Sequence, residues 1–145
     1  MVKNNDPIGK LLLLGFRWFD QSLRQSLIKQ GWPKITSSQS LLMAYITSDG
    51  IRISELARCL NISRQAAQRL VHELNEKGLV RINPDPDNLS AKLVVLSARG
   101  QKIVKDALRI FQQLERSICK RVGSKQVKDL REVLEADWGE TITVS

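Results

Sequence analysis

The sequence predicts a mostly α chain with one small β-hairpin, an α+β arrangement. Three observations carry this reading. Apolar residues recur at spacings of three and four over most of the 145 residues, the repeat of a helix with one buried face. Residues 79–83 and 91–96 are short strand-like runs around a segment, 84–90, rich in Pro, Asp and Asn. Residues 53–74 hold two short helical patterns with only Asn61 and Ile62 between them.

The first helix is expected over 8–30, after a polar and loose start at 1–7. Ile8, Leu11, Leu12, Trp18, Phe19, Leu23 and Leu27 form a broad apolar stripe, which Leu13, Leu14 and Phe16 widen. One small domain cannot easily cover so wide a stripe, so it points to association with another subunit. Gly31-Trp32-Pro33 ends this helix. The second helix opens at Thr36-Ser37-Ser38-Gln39 and runs to about Ile46, with Leu42, Tyr45 and Ile46 inward. Thr36 and Gln39 have capping-box spacing. Asp49-Gly50 is a turn, and Ile51-Arg52-Ile53 a very short strand.

Two crossing helices follow. Ser54 is expected to cap the first and Ser63 the second, each by accepting a free N–H of the first turn. Leu56, Ala57 and Leu60 share one face. Ala67, Leu70, Val71 and Leu74 share one face of the next, at i, i+3, i+4 and i+7. Ala57 and Ala67 are small where two backbones approach. Asn61 falls where a left-handed residue is wanted, and Asn tolerates that conformation well. Gly78 stops the second helix. This is the pattern of a helix-turn-helix.

The strands at 79–83 and 91–96 then form a hairpin with a projecting loop at 84–90, because proline is excluded from central strands. A helix-turn-helix with such a hairpin is a winged helix-turn-helix. Ser97 caps a long helix over 98–122 with its stripe at Ile103, Ala107, Ile110, Leu114 and Ile118. At about 1.5 Å per residue this helix extends well past a small winged domain. Gly123 breaks it. Ser124 is expected to cap a last helix to about Ala136, and 138–145 is not helix-like. The organisation read from this is a winged domain at 36–97, with N- and C-terminal dimerisation helices at 8–31 and 98–137.

Composition bounds the function. Lys and Arg number 23 against 15 Asp and Glu, a formal charge of +8, which suits a polyanionic partner. The excess is spread along the chain rather than gathered into a basic tail. Two cysteines, Cys59 and Cys119, make no disulfide framework and read as buried structural thiols in a cytoplasmic protein. Leu11 to Leu14 is too short for a signal core or a membrane span. One histidine and two isolated cysteines give no zinc spacing, and no glycine-rich phosphate loop occurs. No cofactor, metal or catalytic group is therefore expected, and an enzyme is disfavoured.

The outward residues of the second crossing helix carry the functional reading. They are Arg64, Gln65, Ala66, Gln68, Arg69 and His72, and no Asp or Glu occurs from Leu56 to His72. Arginine forks onto guanine, glutamine pairs with adenine, and an alanine methyl meets a thymine methyl. An ordinary solvated face mixes both charge signs. Ser63, Arg64, Gln65, Ala66 and Gln68 are assigned to bases, and Arg69 and His72 to phosphates. Ser38 and Ser54, at helix starts, are assigned to phosphates through the free N–H groups there.

The chain also resembles the MarR family of transcriptional regulators, from about Ile8 to Leu134. The stretches that carry the resemblance are Ile35-Thr36-Ser37-Ser38-Gln39, Ile53-Ser54-Glu55-Leu56-Ala57, Ile62-Ser63-Arg64-Gln65, Leu74-Asn75-Glu76-Lys77-Gly78-Leu79-Val80, and Asp85-Pro86 through Val94-Val95-Leu96-Ser97 to Gly100. The resemblance implies an obligate dimer of interlocked first, fifth and sixth helices, with recognition helices in major grooves and wings in adjacent minor grooves. It also implies relief by a small, often aromatic effector whose binding residues stay unassigned. The wing departs from the family pattern Asp-Pro-x-Asp-Arg-Arg. Here the register reads Asp85-Pro86-Asp87-Asn88-Leu89-Ser90, without either arginine. Asn88 and, lower on the wing, Lys92 are the remaining wing candidates, and Lys92 is no equivalent fork. The reading is a homodimeric, sequence-specific regulator of transcription on double-stranded DNA, acting as a repressor. The alternative is a winged-helix module that docks on another protein and binds DNA weakly or non-specifically.

Overall fold

The computed structural model describes residues 5–145, so most of the loose start expected at 1–7 lies outside the described residues. The elements run α1 (Ile8–Lys29), α2 (Ser37–Ala44), β1 (Ile51–Arg52), α3 (Ile53–Leu60), α4 (Arg64–Glu76), β2 (Val80–Asp85), β3 (Asn88–Leu96), α5 (Ala98–Val122) and α6 (Ser124–Glu135). The expected winged helix-turn-helix with flanking helices is the observed architecture. Contacts divide the chain into two compact units, Met1–Ile110 and Phe111–Ser145.

The first unit has one apolar core. Leu27 of α1, Leu42 of α2, Leu56 of α3, Val71 and Leu74 of α4, Val80 and Val94 of the sheet and Ile103 of α5 are fully buried there. Burying each such side chain is worth about 1.5–3 kcal/mol against leaving it in water. The sheet is antiparallel in the order β1-β3-β2, with Ile51 opposite Val94 and Val80 opposite Leu96. β3 is therefore the central strand, which closes the two crossing helices against the hairpin.

Local chemistry sets the helix ends. Thr36 and Gln39 form the full capping box at the start of α2. Ser63 accepts the Ala66 N–H at 3.0 Å, and Ser97 accepts the Gly100 N–H at 2.9 Å. Asn61 ends α3 with φ 53 and ψ 47, the left-handed conformation expected of it. Gly78 follows α4 with φ 73, and Leu79 donates back to Leu74 at 3.0 Å. Two expected caps are not made. Ser54 lies inside the first turn of α3, where Arg52 holds the cap position and its side chain does not cap the helix. Ser124 is likewise inside α6, and Gly123 holds the cap position. α3 begins one residue before Ser54 and α6 begins at Ser124 itself, so each hydroxyl is past the position from which it would accept.

Other expectations also shift. α2 ends at Ala44, which leaves Tyr45 outside the helix and exposed rather than inward. The hairpin strands are longer than expected and the loop is only Pro86-Asp87. Pro84 lies within β2, opposite Lys92, and is tolerated because β2 is an edge strand. Cys59 is exposed and Cys119 half-buried, so neither is the buried thiol expected.

In the second unit, Arg131 of α6 pairs with Glu115 of α5 at 2.6 Å, and the Trp138 indole N–H donates to the Val133 carbonyl at 2.7 Å. No residue of α6 is buried.

Among the described glycines, the closest approach is at Gly100, where α5 begins. A Cβ on Gly100 would lie 1.9 Å from the Leu79 carbonyl oxygen. Gly100→Ala must push α5 off the base of the wing, an overpacking cost of about 1–3 kcal/mol. A lowered thermal midpoint is the expected result; an unchanged one would show that the helix start moves freely.

Candidate nucleic-acid interface

The interface candidate is built on α4, whose buried and exposed sides separate cleanly. Ala67, Leu70, Val71 and Leu74 are buried. Arg64, Gln65, Gln68, Arg69 and His72 are exposed. At 3.6 residues per turn these five span about 140° of arc. The structure thus brings five of the sequence-predicted residues onto one solvent face. Ser63 stands exposed at the start of that face, held by its cap bond, while Ala66 is half-buried and offers only part of its methyl.

The basic side chains on this face are not all equally available. Arg64 makes no ion pair or side-chain hydrogen bond among the described residues. Arg69 faces Glu73 at 3.8 Å, and His72 faces Glu76 at 3.1 Å. The run from Leu56 to His72 holds no acid, but the next turn of α4 supplies two, at the i+4 positions of Arg69 and His72. Helical spacing in the sequence contained this signal, and a window that stopped at His72 missed it. Exposed pairs of this kind are individually weak.

Ser38 and Ser54 are exposed in the first turns of α2 and α3, where N–H groups without helical partners lie. Each therefore stands beside potential phosphate donors. Arg58 is partly occupied by Glu55 at 3.2 Å.

The wing has a different character. Asp85 is buried, accepts the Asp87 N–H at 2.9 Å, and pairs with Arg52 at 2.6 Å. The Asp87 N–H first, and then the Arg52 guanidinium, hold the Asp85 carboxyl below its usual range, against the opposing effect of burial. Arg52 reaches this acid from β1 past the intervening β3, so the pair ties the far end of β2 to the body of the sheet. Asn88 accepts from both the backbone N–H and the hydroxyl of Ser90, at 3.1 and 2.6 Å. Its amide oxygen is thus committed within the wing. Pairing passes from Pro84–Lys92 to Asp85–Asn88, so Leu89, Ser90 and Ala91 bulge from the ladder. Leu89 is 85% exposed at that bulge. Lys92 is exposed beside it and is the first basic residue of β3.

Among the described residues no group of three His, Cys, Asp or Glu side chains is arranged to hold a metal ion. No described helix is long and apolar enough to cross a membrane.

A helix-turn-helix with an exposed, glutamine- and arginine-bearing second helix and a bulged hairpin is a winged helix-turn-helix. Residues 34–88 match the model of the MarR family. The winged helix-turn-helix of this chain is similar to that of the MarR family. The HTH-type transcriptional regulator TcaR of Staphylococcus aureus is 22% identical over 104 residues, 70% of this chain and 69% of that protein. MarR of Escherichia coli, in its apo form, superposes with a TM-score of 0.73 at 24% identity, covering 92% of this chain and 97% of that one. A mutant MepR of Staphylococcus aureus bound to an oligodeoxyribonucleotide gives 0.61 at 20% identity, over 90% and 94%. Uncharacterized mycobacterial proteins match at 26% identity over 69 residues, so the chain spans about half, 48%, of their length. The relatives with a stated role are regulators rather than enzymes, as the sequence suggested.

Asp85 generates a pH prediction. Its folded pKa is depressed, so its contribution to stability is full above the ordinary carboxylate pKa of about 3.9 and is lost as pH falls through the lower folded value. Asp85→Asn should unfold at lower urea than the parent at neutral pH, and the two midpoints should converge below about pH 4. A gap that persists in acid would assign the loss to shape rather than charge.

Proposed function

We propose that the chain is a sequence-specific, double-stranded DNA-binding transcriptional regulator that acts as a homodimer and as a repressor in the cytoplasm. The observation that carries this is the exposed face of α4. Five polar or basic side chains point to solvent there, above a seam of four buried apolar ones. Arg64, Gln65 and Gln68, with Ser63 and part of Ala66, are the base-reading set. Arg69, His72, Ser38 and Ser54 take phosphates. The MepR structure bound to an oligodeoxyribonucleotide supports the reading by shared fold.

Residues 36–97 form the DNA-binding domain, and 8–31 with 98–137 form the association region. Exposed apolar side chains on both parts support the dimer. Ile8, Leu13, Phe16 and Trp18 are exposed on α1, and Leu130, Val133 and Leu134 on α6. A twofold pair would occupy half-sites about 10 bp apart on a near-palindrome. A small aromatic effector relieves binding in this reading.

The wing contributes less than the helix. Asn88 is committed to Ser90, Asp85 to Arg52, and Lys92 supplies the only positive charge of β3. The same features, with Leu89 projecting, favour a second reading as a protein-docking module. Salt separates the two, because neutralising phosphates makes DNA affinity fall steeply with added salt.

Selection of bound genomic fragments at fixed salt should return one near-palindromic motif. On that motif Arg64→Ala should cost about 1–3 kcal/mol and relax the preference at one base position. Unchanged affinity and preference would remove Arg64 from the reading set. Salt-insensitive binding with no enriched motif would favour the docking module.

A further inference from the structure

The acid at the end of the recognition face is held unusually well. Glu73 is one turn along α4 from Arg69, and its Oε1 faces the Arg69 Nε at 3.8 Å. Its other oxygen, Oε2, accepts the Gln39 side-chain N–H at 2.8 Å. Gln39 is 2% exposed. Its amide oxygen accepts the Thr36 N–H at 3.1 Å and the Lys77 ammonium at 2.8 Å. Lys77 in turn donates to the Lys34 carbonyl at 2.7 Å. An ordinary surface glutamate loses side-chain freedom when it pairs with arginine, which cancels much of the gain. Glu73 has already lost that freedom to a buried amide whose oxygen is itself held by two donors. Its second oxygen is therefore a standing negative charge beside Arg69.

We propose that Glu73 is a positioning residue that competes with DNA phosphate for Arg69 and so restrains the sequence-independent part of DNA affinity. This rests on the reading that α4 faces DNA. In the free protein the Arg69 guanidinium leans on a fixed carboxylate. To reach a phosphate it must leave that partner, which stays charged and cannot turn away. Gln39 supplies the anchor, so the cap of α2 sets the charge of the α4 face. The effect falls on a phosphate contact, so it acts alike on every duplex sequence.

The test uses the full chain with Glu73→Gln, which removes the charge and keeps an acceptor for the Gln39 amide. Affinity should rise about two- to fivefold, the size of one exposed ion pair, on the selected motif and on an unrelated duplex alike. The salt dependence should steepen by about 0.9 in log–log slope, one further phosphate. In an Arg69→Ala background the same change should do neither. Glu73→Ala removes the same charge and should act in the same direction should the glutamine variant fold poorly. Unchanged affinity, or an equal gain without Arg69, would overturn the proposal. Retention on a heparin column provides the separate arm. If the parent binds no duplex, the DNA reading fails, and the proposal stands or falls on whether Glu73→Gln elutes at higher salt only when Arg69 is present.

Discussion

The left-handed turn at Asn61 is the constraint on which the winged unit depends. α3 must stop abruptly for α4 to cross it, and one residue at φ 53 makes that stop. The Ile62 N–H then closes back onto the Ala57 carbonyl at 3.0 Å, which satisfies an otherwise bare helix end. Ala57 and Ala67 are both buried at the crossing, where larger side chains would hold the backbones apart. Once that crossing is set, the identity of the exposed side of α4 follows from which residues are buried. Val71 and Leu74 cannot be buried unless Gln68 and His72 face water.

Much of this was legible in the sequence because it is local. The capping box of Thr36 and Gln39, the Ser63 cap and the stop at Gly78 each involve residues a few positions apart. The four-residue seam of α4 is a repeat of three and four. The misreadings share a cause as well. Ser54 and Ser124 have the right chemistry for caps, but the cap falls two residues earlier in the first case and one in the second, and nothing local decides between neighbouring positions. Pro84 looked like a strand breaker because its place at a sheet edge depends on strand order, which no window of neighbouring residues contains.

The candidate site was legible by position and less so by charge. Arg64, Gln65, Gln68, Arg69 and His72 share the exposed face as read. The acidic partners on this face were hidden in two ways. Glu73 and Glu76 lie just outside the acid-free run, although helical spacing places them beside Arg69 and His72. The Gln39 anchor of Glu73 joins residues 34 positions apart and had no sequence signature. The Arg52–Asp85 pair, 33 positions apart, was invisible for the same reason.

The edges of the small sheet have a consequence beyond the site. Open strand borders invite other chains to pair with them, and a basic protein gathered on a polyanion meets its own copies at high local concentration. Here one border is β1, two residues long. The other is β2, where Pro84 lacks an N–H and the ladder slips just beyond it. Neither border offers a long, regular row of backbone groups. Crowding therefore has little opportunity to turn the wing into a seed for aggregates.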